Sequence, residues 1–251
     1  MTDKKTALIT GVGQGLGRAM AEQLTRAGVR VIGTYRHSRD EAAGLAEDLN
    51  REGGEIVVLP LDVADTHTYP DFVDQVGQTL RESGAPGLDH LINNAGIGTF
   101  AMFADTTPDQ FDDLFRINLR APFFLTQALL PLLLDGGRIL NVTTAVTRGV
   151  VPGLSAYAAT KGAVEVLTRY QATELAARGI RVNAIMGGAV DTGFGNGMMR
   201  NAHVRQLAAD TIAQGRIAGV DDITAAVPAI LSDAFQWATG SVIDLSGGQS
   251  I

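Results

Sequence analysis

Tyr157 and Lys161 stand four residues apart, about one helical turn, so on a helix their side chains share a face. Ser155 is the expected cap of that helix, its hydroxyl placed to accept a first-turn amide. A phenol left alone titrates near ~10 and shuttles protons poorly at neutral pH. An ammonium beside it stabilises the phenolate, lowers that value and makes the pair an acid/base. A solvated helix face gives the same spacing, so the meaning of the pair depends on what the rest of the chain builds around it.

The chain begins with the elements of a nucleotide site. An apolar run, Thr6 to Thr10, breaks into Gly11, Gly13, Gly15 and Gly17; Arg18 to Ala27 then has helical composition, and Val29 to Tyr35 reads as a second strand. Strand, glycine loop and helix let a pyrophosphate approach backbone amides at a helix N-terminus, where the dipole favours an anion. The second strand makes this a βαβ unit, in which a dinucleotide site outweighs a simple tight turn. An NAD site usually carries an acid past that strand to hold the ribose 2′-hydroxyl. Here Tyr35, Arg36, His37 and Ser38 follow, with no carboxylate before Asp40. The Arg36 guanidinium with the Ser38 hydroxyl suits a 2′-phosphate; the competing reading is a solvated strand end, with Asp40 opening the next helix.

The alternation continues. Glu55 to Pro60 is strand-like and runs into Leu61, Asp62 and Val63; Thr68 to Ser83 is helical; Leu88 to Asn93 is a strand ending in Asn94, Ala95 and Gly96. Pro108 to Leu134 reads as a long helical region interrupted at Ala121 and Pro122, with Asn118 set among Phe115, Ile117 and Leu119 as a polar group that needs a hydrogen-bond partner if buried, or a simple kink satisfier. Arg138 to Thr143 and Ile180 to Met186 are further strands, Asp221 to Ser232 is helical, and Ser241 to Leu245 closes the series. Repeated βα units predict a single α/β domain over 1–251, a Rossmann-type doubly wound parallel sheet. Ligands collect at the carboxyl ends of such strands, where Asp62, Asn94 and Gly96 fall. Gly187 to Met199 is rich in glycine and methionine; it predicts no stable element and a flexible lid, within about 187–215, over an apolar site.

Composition narrows the partners. The 251 residues are 45% hydrophobic, and 20 Lys and Arg stand against 27 Asp and Glu for a net charge of -7. Nucleic acid is therefore not an expected partner. Absent cysteines remove disulfides and thiolate chemistry and are compatible with a reducing compartment. His37, His67, His90 and His203 lack metal-ligand spacing and are expected to be solvated or capping, so no metal is expected. The longest apolar stretch, Ala121 to Leu134, is shorter than a ~20-residue span and broken by Thr126, Gln127 and Pro131, so a membrane partner is not expected.

With these pieces placed, the sequence resembles the short-chain dehydrogenase/reductase family from Thr6 to Gly248. The family's TGxxxGxG corresponds to Thr10, Gly11, Gly15 and Gly17, its NNAG to Asn93–Gly96, its helix asparagine to Asn118, and its YxxxK to Tyr157 and Lys161. The resemblance implies that Tyr157 protonates a carbonyl oxygen, that Lys161 holds the nicotinamide ribose and lowers the tyrosine pKa, and that Asn118 positions a water. It further implies that Gln14 and Leu16 line the cofactor with the glycines, that Asp62 and Val63 contact adenine, and that Asn94, Ala95 and Gly96 line the cofactor. Gly188, Val190 and Thr192 complete that site, Thr192 against the nicotinamide amide.

Two positions depart from the pattern. The family's serine, 13 residues before the tyrosine, is Thr144 here, which keeps the hydroxyl needed at a developing oxyanion. A Pro-Gly pair common after the next strand is replaced by Gly187 and Gly188. An acid often found in NAD-type members is replaced by Tyr35, and Arg36 follows as the basic residue of NADP-type members; Gln14 occupies a second position often basic. NADP(H) is thus expected over NAD(H).

The resemblance implies reduction of a small-molecule ketone, cytoplasmic location and self-association as a homotetramer or homodimer. Phe100, Phe103, Val150, Val151, Leu154, Phe194, Met198 and Met199 fall in the expected pocket loops and suit an apolar or acyl-chain ketone. A 3-oxoacyl-carrier-protein reductase is the alternative, though Leu134–Gly137 offers no basic residue to an acidic carrier. A non-catalytic, redox-sensing NADP-binding protein is the alternative of another class. A sugar epimerase is disfavoured, because the chain has no room for an added substrate domain.

Overall fold

Along each central strand, successive side chains enter two different apolar layers, which is why these stretches read as near-continuous hydrophobic runs. Ala7 and Ile9 pack with Met20, Leu24 and Leu45, whereas Leu8 between them packs with Phe72, Val76 and Leu125. A computed structural model describes residues 4–250, with Asn196 and Met198 described by their backbone alone. Its strands are β1 (Thr6–Ile9), β2 (Arg30–Tyr35), β3 (Ile56–Pro60), β4 (Leu88–Asn93), β5 (Leu133–Thr144), β6 (Arg181–Gly187) and β7 (Val242–Leu245). They form one sheet in the order β3-β2-β1-β4-β5-β6-β7, parallel throughout.

The helices are α1 (Gly15–Arg26), α2 (Arg39–Arg51), α3 (Tyr69–Glu82), α4 (Pro108–Phe115), α5 (Ala121–Leu129), α6 (Ser155–Glu174), α7 (Phe194–Gly197), α8 (Ala202–Ala209), α9 (Val220–Thr224) and α10 (Val227–Ile230). Residues of α1, α2, α9 and α10 supply one layer, and residues of α3, α5 and α6 the other. The chain is a doubly wound α/β fold. Strand order reverses between β1 and β4, so the ends of those strands open a crevice in which ligands of such sheets bind.

Several boundaries differ from the sequence reading. The helix after the glycine loop starts at Gly15 rather than Arg18, so Gly15 and Gly17 belong to its first turn. The helical region expected from Pro108 to Leu134, with an interruption at Ala121 and Pro122, ends at Leu129, and Leu133 already opens β5. Its interruption lies at Arg116–Arg120, a π-helical turn in which the amide of Ala121 bonds the carbonyl of Arg116. Pro122 has no N–H and its ring crowds the turn before it, and the wider turn accommodates both. The expected helix Asp221–Ser232 is two short helices, the second opening with Pro228 in its first turn. The segment expected to hold no stable element folds α7 at Phe194–Gly197 and a 3-10 turn at Met198–Arg200.

His90 corrects the expectation of solvated or capping histidines. It is buried in β4, and desolvation lowers its pKa to about 4, so it packs as a neutral ring. No helix among the described residues is long and apolar enough to cross a membrane.

Candidate active site

The glycine loop is fixed from below by β4. Asn94 donates through its carboxamide to the carbonyls of Thr10 (2.8 Å) and Gly11 (3.2 Å), while the amides of Asn94 and Ala95 donate to the Thr10 hydroxyl at 3.0 and 2.9 Å. The carboxamide of Asn94 is thus engaged by the loop itself. A Cβ on Gly17 would stand 2.0 Å from the Gly11 carbonyl oxygen and 2.5 Å from the Asn94 amide nitrogen, so only glycine lets the helix start this close to the strand end. No side chain caps α1, and its first turn holds no acid. The amides of Gly15, Leu16 and Gly17 are therefore left to an anion, the chemistry a pyrophosphate brings.

The end of β2 packs on the same loop. A Cβ on Gly13 would meet the Ser38 side chain at 2.5 Å, which places Ser38 directly against the loop. Arg36 is exposed, with its guanidinium 3.9 Å from the Asp62 carboxylate at the end of β3. Asp62 is further held by the amide of Ala64 at 2.9 Å. Tyr35 is half-buried, and Val63 is buried, with its carbonyl accepting from the Tyr69 hydroxyl at 2.7 Å. Asp40 lies in the first turn of α2, so it favours that helix whether or not Arg36 meets a phosphate.

Helix α6 carries Tyr157 and Lys161 on the face it turns to β5 and β6. Both are buried, along with Thr160, Val164 and Thr168. Leu154, not Ser155, occupies the cap position, and no side chain caps this end. Burial of that long face against the sheet positions α6, and Ser155 is simply its first residue. Lys161 donates to the carbonyl of Val142 in β5 at 2.9 Å, and burial lowers its pKa to about 8.

Burial also pushes the Tyr157 phenol well above the ordinary tyrosine range, opposed only by the hydroxyl of Thr144. The expected lowering by Lys161 is absent here. The ammonium donates to the Val142 carbonyl, and only desolvation and the Thr144 hydroxyl act on the phenol. Thr144 itself ends β5, half-buried beside Tyr157.

Asn118 sits in the π-helical turn, 1% exposed. Its carboxamide accepts from the Ile97 amide at 2.9 Å and donates to the Ile97 carbonyl at 2.9 Å and the Thr160 hydroxyl at 3.3 Å. The side chain ties the loop after β4 to α6. Because Pro122 has no N–H, the main-chain carbonyl of Asn118 lacks its ordinary helical donor four residues on. Gly96 packs between these groups: a Cβ there would stand 3.0 Å from the Asn118 oxygen and 3.5 Å from the Lys161 nitrogen.

Gly188, Val190 and Thr192 leave β6 toward the glycine loop. Thr192 side-chain atoms stand 3.6 and 3.7 Å from where a Cβ on Gly15 would lie, and Gln14 reaches to 3.6 Å of the corresponding point on Gly193. The ring of Phe194 then crosses the cleft. A Cβ on Gly98 would meet that ring at 2.6 Å, so Phe194 seats in the gap this glycine leaves. Phe100 seats likewise against Gly153, and the amide of Ala101 donates to the Gly153 carbonyl at 2.9 Å. Phe100, Phe103, Val150, Val151 and Phe194 are exposed around this opening, and Leu154 and Met199 are half-buried. The Met198 side chain lies outside the described residues.

Sequence reasoning passed over Thr160 and gave no separate role to Asn93, the first asparagine of the β4 motif. Asn93 donates to Thr126 at 3.1 Å and to Asn141 at 2.9 Å, and Asn141 donates to Thr168 at 2.9 Å, a buried ladder joining α5, β4, β5 and α6 under the site. Polar residues at strand positions otherwise filled by Val, Ile and Leu were its signal: a buried amide needs partners, and neighbouring strands are the nearest source.

Comparison with known proteins places this geometry among relatives. A family model described as enoyl-(acyl carrier protein) reductase matches residues 11–250. Versicolorin reductase 1 of Aspergillus parasiticus is 31% identical over 98% of this chain and 96% of its own. The 3-oxoacyl-[acyl-carrier-protein] reductase FabG of Staphylococcus epidermidis is 32% identical over 97% of this chain and 98% of its own. Among solved structures, the angucycline C-6 ketoreductase LanV with bound NADP superposes with a TM-score of 0.93 at 34% identity, covering 98% of this chain and 95% of that one.

Proposed function

Because this chain belongs to the short-chain dehydrogenase/reductase family, an oxidoreductase family, we propose that it is an NADP(H)-dependent ketoreductase reducing an apolar or acyl-chain ketone to a secondary alcohol. The observation that carries the reading is the convergence of Tyr157, Thr144 and Lys161 at the carboxyl end of β5, on a buried face of α6 where desolvation favours the neutral phenol. A protonated phenol is the form a carbonyl reduction requires, since an alkoxide forms as the carbonyl carbon accepts its hydride. The bound nicotinamide supplies that hydride.

The chain's own residues do the rest. Tyr157 gives its proton to the carbonyl oxygen, and Thr144 donates to the same oxygen as charge develops on it. Lys161, still an ammonium at neutral pH with one N–H on the Val142 carbonyl, offers its remaining donors to the ribose hydroxyls. The Asn118 main-chain carbonyl orients the water that returns a proton to Tyr157. The amides of Gly15, Leu16 and Gly17 take the pyrophosphate, and Arg36 with Ser38 takes the 2′-phosphate. Asp62 and Val63 border the adenine, Ala95 and Gly96 line the cofactor, and Thr192 meets the nicotinamide amide. NADP bound to the LanV neighbour supports the choice of nucleotide.

A free ketone is favoured over a carrier-bound one. Asp135 is exposed and paired with Arg178 at 2.7 Å, leaving this turn little positive charge for an acidic carrier. The relatives named versicolorin reductase and angucycline ketoreductase support the same choice.

The test is a titration with NADPH and NADH followed by turnover on three probes: a bicyclic aryl ketone, a 3-oxoacyl thioester of N-acetylcysteamine and the matching enoyl thioester. NADPH-linked reduction of a ketone, with the enoyl thioester untouched, is the expected result. Tight NADPH binding without turnover of any ketone would replace this reading with a nucleotide-sensing role.

A further inference from the structure

The carboxamide of Gln249 reaches both ends of the lid. It follows β7 in the chain and is 6% exposed. Its oxygen accepts from the amide of Ala189 at 2.9 Å, where the chain leaves β6 to begin the lid. Its nitrogen donates to the hydroxyl of Thr211 at 3.2 Å, just past α8, where the lid returns. The backbone of Gln249 adds an antiparallel bridge to Ile212, and the amide of Ser250 donates to the Thr211 carbonyl at 2.9 Å.

A third arm comes from the loop that follows Thr144. Arg148 donates to the Gln249 carbonyl at 3.2 Å and pairs with Asp244 in β7 at 2.7 Å. The fit around the glutamine is close. A Cβ on Gly188 would stand 2.8 Å from its side-chain oxygen and 2.8 Å from the Ser246 carbonyl, so the lid's first turn is shaped around this segment. Ser250 beside it holds a φ of 57°, a left-handed conformation a non-glycine residue adopts only when its surroundings impose it.

None of these groups touches the reacting atoms, yet they fix the segments that do. Ala189 lies three residues before Thr192, and Arg148 lies four after Thr144. We propose that Gln249 is a positioning residue that joins the entry and exit of the lid to the loop after Thr144, and so sets the closed position of Thr192 and Phe194 over cofactor and ketone. A buried amide that loses both partners leaves the Ala189 N–H unpaired, which favours an open lid. The inference rests on the ketoreductase reading for its kinetic consequences.

The experiment compares Gln249→Leu, Gln249→Glu and Thr211→Val with the wild type, using NADPH and a bicyclic aryl ketone. Leucine keeps the volume and loses both bonds; glutamate keeps the acceptor for Ala189 and loses the donor to Thr211, whose hydroxyl proton is held by the Ala208 carbonyl at 2.7 Å. Gln249→Leu is expected to raise KM for the ketone and the NADPH dissociation rate at least tenfold while kcat changes less than threefold. Gln249→Glu, which keeps the Ala189 bond alone, and Thr211→Val are each expected to give an intermediate effect. Trypsin cleavage at the exposed lid residues Arg200 and Arg205 should accelerate in the same order. Parameters within twofold of wild type in the leucine and valine variants, or a fall in kcat with unchanged KM and NADPH release, overturn the proposal. If Gln249→Leu does not fold, Thr211→Val decides by the same criteria. A wild-type protein that binds no NADPH or reduces no ketone would sink the ketoreductase reading instead, and the trypsin series would still decide whether Gln249 holds the lid.

Discussion

The ring of Phe194 lies 5.6 Å from that of Tyr157, centroid to centroid, with the planes inclined at 52°. One short helix of the lid thus brings an aromatic wall onto the proposed proton donor, and the wall rests in the gap left by Gly98. Phe194→Ala removes the ring pair and the apolar cover together. An aromatic pair adds ~1 kcal/mol beyond its buried area, so KM for an apolar ketone is expected to rise at least fivefold, with a smaller change in kcat. Steady-state kinetics on a bicyclic ketone and on a small aliphatic one would check this; equal effects on both would remove Phe194 from substrate recognition.

Tyr157→Phe deletes the proton without changing the packing. Loss of a positioned general acid lowers kcat by roughly 10²- to 10⁴-fold, while NADPH affinity is expected to hold. Thr144→Ser should keep turnover and Thr144→Val should lose roughly 10²-fold, the scale of one missing oxyanion donor. Turnover by Tyr157→Phe at the wild-type rate would remove the phenol from the chemistry.

Lys161 gives a stability signature with a definite sign. Burial lowers its pKa to about 8, from an ordinary value near 10.5. Between those values the unfolded chain binds the proton more fully than the folded one, so stability contributed through this group rises with pH across that window. Below about pH 8 the full cost of burying the ammonium is present. Lys161→Met is therefore expected to be more stable than wild type at pH 7, by up to about 3 kcal/mol at 1.36 kcal/mol per pKa unit, and to lose this advantage toward pH 10, while turnover falls. Urea denaturation at pH 7 and pH 9.5 tests it, and an advantage that grows with pH would contradict the buried-ammonium account.

Arg36→Ala tests the choice of nucleotide. Loss of a guanidinium on a 2′-phosphate should cost NADPH tenfold or more in affinity, about 1.4 kcal/mol, and leave NADH binding within twofold. Raising salt should weaken NADPH binding to wild type more than to the variant, because the contact lies in solvent. A variant that weakens both nucleotides equally would make Arg36 a general anchor of the loop.

Gly17→Ala tests the loop itself. The added methyl would stand 2.0 Å from the Gly11 carbonyl oxygen, so backbone has to move. Overpacking of this kind costs about 1–3 kcal/mol, and NADPH binding should be lost along with stability, as read by thermal melts with and without nucleotide. Normal binding with normal stability would show that the loop relaxes without cost.

The order of strands and helices was legible in the chain because it is a local property. Short, near-continuous apolar runs bounded by glycine and proline mark the strands, and the Thr10–Gly17 and Tyr157–Lys161 spacings mark a loop and a helix face. Boundaries were misread where a backbone detail decided them: Pro122 moved the helix interruption to Arg116–Arg120, and the buried face of α6 made a cap at Ser155 unnecessary. What the sequence by itself determined was the doubly wound sheet and the family, and it supplied the candidate residues for the proposed chemistry. Tertiary structure alone decided how those residues are charged and held. It buried Tyr157 so that desolvation raises its pKa, turned Lys161 to a strand carbonyl, engaged Asn94 and Asn118 in bracing loops, set Phe194 into the gap at Gly98, and brought Gln249 to both ends of the lid. Desolvation and hydrogen-bond partnership depend on which distant segments meet. Ala189 and Gln249 are 60 residues apart in sequence and 2.9 Å apart in the fold, a relationship that no local spacing encodes.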